Sequence, residues 1–288
     1  MEADVTFKFI RTNGVKLHTA LSGPEDGEPV ILLHGYPDAW FGWAAQIAAL
    51  SNAGFRVVAP DQRGYNLSDK PQDVDSYAQN TLVKDIIGLA DSLGFGRFHL
   101  AGHDFGAAVS WRLASLHPDR LKSLAILNVP HPEVMIQTLR RHPSQMLKSW
   151  YIFFFQIPGL PERLMRANNW RIVISAMPKG LSEAQKNQYR EAWEQPGAIQ
   201  SMINWYRAAF SWTGLKVNQT APITVPTLIL WGKQDPYLNF AMVQPSLNRC
   251  LNGRLVTFES ASHWVMADEP DQVNRFLIDH FKKESAGN

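Results

Sequence analysis

Three ionisable side chains stand just past the ends of apolar runs, and together they can break a bond to an sp³ carbon. Asp104 lies in "LAGHDFGAAVSW", where an apolar run gives way to a Gly–X–Asp–X–Gly turn and an Ala-rich helix pattern. A turn of that shape lifts one side chain to the top of a sheet. Enzymes that cleave esters and amides place Ser there. A carboxylate, with a reference pKa of about 3.9, is already ionised at neutral pH. It is a poor nucleophile toward amides but an adequate one toward an sp³ carbon bearing a leaving group, once it is aligned and stripped of water. The product of that attack is an ester of the protein. His263, in "ESASHWVMADEP", can activate water against the ester carbonyl, and Asp235, after "TLILWGKQ", can orient His263 and stabilise its charged form. The expected chemistry is alkyl–oxygen or alkyl–halogen cleavage, not acyl transfer. Ester hydrolysis needs an oxyanion hole. The backbone N–H groups of Phe105 and of Tyr36, in "HGYPD", are expected to supply it. Pro37 fixes that turn, and a cis Tyr36–Pro37 bond is one way to do so.

The elements that must position these groups follow from the apolar pattern. "VTFKFIRTNG" and "KLHTALSG" alternate apolar and polar residues and end at Gly, as a hairpin does. "PVILLHG", "FRVVAPD", "RFHLAGHD", "LKSLAILNVP", "PTLILWGKQD" and "GRLVTFES" are continuously apolar, as strands covered on both faces are. Between several of them lie helical patterns. In "TLVKDIIGLADSLG", Leu82, Ile86, Leu89 and Leu93 share one face and Gly94 ends it. Strand–helix alternation predicts an α/β fold, a mostly parallel central sheet flanked by helices. The alternation stops between residues 132 and 221, a stretch rich in aromatics with helical spacing. It predicts a core of residues 1–131 and 222–288 and a helical cap, 132–221, over the carboxyl edge of the sheet, where ligands of such sheets bind. The polar loop "DQRGYNLSD", Asp61–Asp69, is expected to be structural.

Composition narrows the partners. The chain has 288 residues and a net charge of +2, with no Lys/Arg cluster in sequence, so no nucleic acid is expected. Cys250 is the only cysteine, which excludes a disulfide within the chain and suits a reducing, cytoplasmic setting. It is expected to be a small buried hydrophobe. "MEADVTFKFIRTNG" lacks the pattern of a signal peptide. "WYIFFFQIPGL" is interrupted by Gln156 and Pro158 and is too short to span a bilayer, so no membrane partner is expected. No metal and no cofactor are expected.

Taken together, "HGYP", "GHDFG", "WGKQDP" and "SHW" resemble the epoxide hydrolases of the α/β-hydrolase superfamily, over nearly the whole chain. The resemblance implies a hydrophobic epoxide and water as substrates, with Asp104, Asp235 and His263 as the catalytic triad. It also implies two cap tyrosines that hydrogen-bond the epoxide oxygen and protonate it as the ring opens. Tyr151 in "WYIFFFQIPG" and Tyr206 in "INWYRAAF" fall on the matching positions. Tyr36, Phe105, Phe154, Phe155, Trp205 and Trp264 are expected to line the substrate pocket. A homodimer is left open. The core motifs are shared with haloalkane and fluoroacetate dehalogenases, so a dehalogenase is the alternative. Haloalkane dehalogenases usually grip the halide with a Trp after the nucleophile, where this chain has Phe105. Fluoroacetate dehalogenases place Arg there and three residues later, where this chain has Phe105 and Ala108. Many epoxide hydrolases also carry Trp rather than Phe at that position, which puts only the pocket shape in doubt. A catalytically silent binding module is the remote alternative.

Overall fold

The computed structural model describes residues 4–210 and 221–286. Eight strands form one sheet: β1 (Val5–Thr12), β2 (Val15–Ser22), β3 (Glu28–Leu33), β4 (Phe55–Pro60), β5 (Phe98–His103), β6 (Leu121–Leu127), β7 (Thr227–Gly232) and β8 (Gly253–Phe258). Their spatial order is β1-β2-β4-β3-β5-β6-β7-β8. β1 and β2 form the expected antiparallel hairpin, closed by a two-residue turn between Thr12 and Val15. Asn13 and Gly14 both have positive φ there (42° and 80°), the backbone that a tight hairpin turn demands. β2 pairs antiparallel with β4, and β3 to β8 run parallel. The expected apolar runs are these parallel strands. Residues such as Val30–Leu33 and Leu228–Trp231 are fully buried because helices cover both faces of the sheet.

The covering helices are α1 (Ala44–Asn52), α2 (Gln79–Ser92) and α3 (Phe105–Leu116), joined by the helix Pro270–Ala286. In α2, Leu82, Ile86 and Leu89 are buried as the spacing predicts, and Leu93 packs at the margin of the core. Between β6 and β7 come α4 (Pro132–Arg141), α5 (Pro143–Lys148), α6 (Trp150–Phe154), α7 (Leu160–Ala176), α8 (Glu183–Glu194) and α9 (Ala198–Phe210). Residues 211–220 of the expected insertion lie outside the described residues. After β7 follow α10 (Val243–Leu247), α11 (Val265–Asp268) and α12 (Pro270–Ala286). Val273, Leu277 and Phe281 of α12, four apart, bury one stripe of that helix.

The helices between β6 and β7 are tied to loops at the carboxyl ends of the strands. The Trp193 indole donates to the Pro37 carbonyl (2.6 Å), and Tyr189 Oη to Asp38 Oδ1 (2.9 Å). The Trp205 indole donates to the Arg63 carbonyl (2.9 Å). α7 is not one continuous helix. Asn168, Asn169 and Trp170 have φ of 51°, 56° and 63°, so the chain reverses its hand for three residues. The buried Trp170 ring packs on Trp193 there, at 5.5 Å between centroids.

The loop after β4 has the structural role expected of it. Asp61 accepts from the Trp40 N–H (3.0 Å) and Asn66 Nδ2 (2.9 Å), and meets His18 Nδ1 at 2.7 Å. Arg63 forks onto both oxygens of Asp85 at 2.7 Å, so a buried charge has its partner. Cys250 departs from expectation. It is half-buried rather than buried, because it sits at the sheet margin beside β8 with its Sγ 3.8 Å from the Ser246 carbonyl. Burial pushes its thiol up to about 11, which leaves little thiolate at neutral pH.

Candidate active site

β5 ends at His103, α3 begins at Phe105, and Asp104 bridges them with φ 50° and ψ −125°. Three glycines make room for this turn. A Cβ on Gly106 would collide with the Leu33 carbonyl, and one on Gly102 with the Gly106 carbonyl. A Cβ on Gly35 would occupy the place of the Asp104 carboxylate itself. The spacings in "HGYP" and "GHDFG" thus let the loop after β3 and the turn after β5 approach each other closely.

That approach aims backbone donors at the carboxylate. The Tyr36 N–H donates to Asp104 Oδ1 at 2.7 Å, and the Phe105 N–H also bonds the carboxylate. The Tyr36–Pro37 peptide is cis. The other oxygen, Oδ2, faces His263 Nε2 at 3.5 Å. On the far side of the ring, His263 Nδ1 lies 2.7 Å from Asp235 Oδ2. Asp235 is in turn held by the Tyr237 N–H (2.7 Å), the Leu238 N–H (2.9 Å) and Asn128 Nδ2 (2.9 Å). The structure therefore brings Asp104, His263 and Asp235, from three strand ends, into one line, with a hydrogen bond between His263 and Asp235 and an ion-pair distance between His263 and Asp104.

The charges follow from this geometry. Burial works to lower the His263 pKa, but the Asp235 charge and the hydrogen bonds to Asp104 and Asp235 outweigh it and raise it to about 10. Burial works to raise the Asp104 carboxyl, and the hydrogen bond and charge of His263 hold it below the usual carboxylate range. Asp235 is held low in the same way, by the charge of His263 against burial. All three directions favour a charged imidazole between two charged carboxylates.

Tyr151 and Tyr206 stand across from Asp104, 5.8 Å apart between ring centroids. Tyr206 packs edge-on against Phe105 (4.6 Å) and Tyr36 (5.2 Å). Burial, then the Asp104 charge, raises both phenols well above their ordinary range, so each keeps its proton. One cavity of about 840 Å³ is lined by Asp104, His263 and both tyrosines. The remaining residues expected at the pocket, Tyr36, Phe105, Phe154, Phe155, Trp205 and Trp264, also line it. Trp205 and Trp264 carry a second duty. Their indole N–H groups are spent on the Arg63 and Ala176 carbonyls (2.9 Å each), so they offer the cavity only ring surface.

Two positioning residues escaped the sequence. Asn128, just past β6 with φ 53°, clamps Asp235 and also bonds Gly232 through both side-chain atoms. Its only sequence signal is an Asn at the end of an apolar run. His103 stands inside "GHDFG", beside Asp104. Its Nε2 lies 2.9 Å from the His263 carbonyl, and burial lowers its pKa to about 3, so it is a neutral donor. His99 and His103 also have the His–x3–His spacing that on a helix suits two metal ligands. On β5 that spacing sets them roughly 13 Å apart, and His99 meets Ser123 and Ser285 instead. Among the described residues no group of three His, Cys, Asp or Glu could hold a metal.

Residues 28–270 match the family described as the alpha/beta hydrolase fold. The chain belongs to that superfamily. It is 42% identical over 285 residues to AB hydrolase superfamily protein YfhM of Bacillus subtilis (strain 168), covering 97% of this chain and 99% of that protein. It is 35% identical over 288 residues to epoxide hydrolase 4 of Homo sapiens, covering 96% of this chain and 78% of that protein. The crystal structure of Bacillus megaterium epoxide hydrolase in complex with an inhibitor matches with a TM-score of 0.88 at 31% identity, over 96% of this chain and 100% of that one. Within the superfamily, the chain belongs to the epoxide hydrolases.

Proposed function

We propose that this protein converts hydrophobic epoxides to vicinal diols through an ester on Asp104, beneath a cap domain, the expected insertion 132–221, whose described helices run from α4 to α9. The observation that carries this reading is one cavity lined by the Asp104 carboxylate, by His263 and by two phenols whose burial favours the protonated form. An alkoxide is a far worse leaving group than a halide, so ring opening needs an acid.

The two oxygens of Asp104 have different work. Oδ1 is held by the Tyr36 N–H, and Oδ2 is the one facing His263. Oδ2 therefore attacks the epoxide carbon, and the ring C–O bond breaks. The alkoxide takes a proton from Tyr151 or Tyr206. The new ester has lost the Asp104 charge, which was part of what kept His263 protonated. The imidazolium then gives up its proton, which restores the phenol. Neutral His263 takes a proton from water, and the hydroxide adds to the ester carbonyl. Oδ1 becomes the oxyanion, already against its backbone donors. Collapse expels the diol oxygen, which takes the proton brought by the hydroxide, and regenerates the Asp104 carboxylate, with Asp235 stabilising the imidazolium that forms again when His263 deprotonates water.

The tyrosines supply the test that separates this reading from a dehalogenase. In Tyr151→Phe or Tyr206→Phe the remaining phenol sustains partial turnover. The double variant loses about 10²–10⁴-fold, the usual contribution of a general acid. The loss falls on alkylation of Asp104, measured by stopped-flow in single turnover. Near-normal turnover in the double variant would remove both tyrosines from the mechanism. A panel of aryl and aliphatic epoxides, chloroalkanes and fluoroacetate, scored for diol and for halide, completes the test. Diol from apolar epoxides is expected, and rapid halide release would move the protein to the dehalogenases.

A further inference from the structure

The outer face of the helices between β6 and β7 exposes more apolar surface than a solvated helix needs. Leu147 is 75% exposed, Trp150 62%, Ile172 48% and Met146 47%. Leu147, Trp150 and Ile172 also line the active-site cavity, so they form the rim of its mouth. Ile157, Leu160 and Leu164 are exposed along the same stretch. The surrounding charge has one sign. Between Val134 and Ser182 the chain carries seven Lys or Arg, six of them exposed (Lys148 turns in to the Asp235 carbonyl, 3.0 Å), and a single acid, Glu162. That acid is already paired with Arg207 at 2.7 Å. Arg140 and Arg141 are exposed and directly follow Leu139, a cavity-lining residue. Arg171 is exposed beside Ile172. These cations form no run in sequence, and the near-neutral total charge conceals them.

Exposed Leu, Ile and Trp among cations, on helices too short to span, are the signature of a surface that lies in a membrane interface. We propose that this face docks on an anionic lipid surface, with the mouth of the active-site cavity turned toward the bilayer. No described helix is long and apolar enough to cross a membrane, and docking requires none. Charge decides between a lipid occupant and a second copy of the chain. A two-fold contact through this face would set one copy's cations against the other's, whereas anionic headgroups neutralise them. The docking stands on the surface alone. That apolar substrates enter from the bilayer rests on the epoxide hydrolysis proposed above.

The test needs no substrate, so its failure is distinct from failure of the proposed reaction. The full-length protein is sedimented with sucrose-loaded vesicles of phosphatidylglycerol and phosphatidylcholine, and with phosphatidylcholine alone. Binding is expected to the anionic vesicles at low salt, weakening as salt rises. The variant R140E/R141E/R171E, whose residues do not line the cavity, is expected to bind about a hundredfold more weakly, with unchanged turnover of a water-dissolved epoxide. Leu147→Ser with Trp150→Ser is expected to lose binding while its thermal melt stays cooperative. Failure of the wild type to sediment with anionic vesicles at low salt would overturn the proposal, as would equal binding to phosphatidylcholine alone. A dimer in sedimentation velocity that dissolves in the Leu147→Ser/Trp150→Ser variant would assign the face to a second copy instead.

Discussion

Replacing Asp104 by Ala is expected to end diol formation and leave the fold standing. In the proposed reaction this carboxylate is the attacking group: its Oδ1 accepts from the Tyr36 N–H, its Oδ2 faces His263, and the residue lines the cavity. Without it no ester forms, and His263 has no carbonyl toward which to direct water. Direct attack of water on the epoxide would need the base to act on a different line. The expected loss is at least about 10⁴-fold, the scale on which removal of a triad member acts. Far-UV circular dichroism and a cooperative melt are expected to match the wild type, because the turn is built by Gly35, Gly102 and Gly106 rather than by this side chain. An Asp104→Ala protein that retained a tenth of wild-type turnover would show that the nucleophile lies elsewhere.

His263→Gln is expected to divide the reaction into its halves. Alkylation needs a carboxylate and a phenol, both of which remain. Hydrolysis needs a base beside the ester, and Gln is not one. On adding epoxide, intact-protein mass spectrometry should show an adduct of one substrate mass that persists, while steady-state diol falls by a factor similar to that for Asp104→Ala. Loss of the imidazolium also removes what holds Asp104 below its usual pKa against burial. The carboxyl of the variant therefore titrates higher, and its alkylation rate is expected to fall off at a higher pH than in the wild type as acid is added. A folded variant that never alkylates would mean that His263 serves the first step. One that turns over normally would remove it from the mechanism.

How much of this was legible in the sequence depended on the kind of constraint. The parallel strands were readable because burial on both faces forbids polar residues, and "PVILLHG" or "PTLILWGKQD" can hardly be anything else. Asp104 was readable because the elbow requires glycines at fixed offsets, and Gly102 and Gly106 are there for a steric reason the structure makes plain. Tyr151 and Tyr206 were different. Their helices pack many aromatics, and nothing in spacing alone separates a phenol that faces the cavity from one that fills the core; only resemblance singled them out. Asn128 and His103 went unassigned because each acts through another residue, across 107 and 160 positions of chain. The break in α7 was invisible because Asn168, Asn169 and Trp170 have no glycine among them, and the contact of Trp170 with Trp193 belongs to tertiary packing. The basic, apolar outer face was hidden for a related reason. Its exposed cations, Arg140, Arg141 and Arg171 among them, are scattered in sequence, and which residues they flank is decided by folding.

The covalent ester is the central claim, and one isotope measurement addresses it directly. With enzyme in molar excess over epoxide in H₂¹⁸O, a single turnover is expected to give unlabelled diol, because its new oxygen comes from Asp104. The active-site peptide should gain one ¹⁸O, because water attacks the carbonyl and stays with the carboxylate. Diol carrying ¹⁸O in that first turnover, with no label on the peptide, would contradict the account.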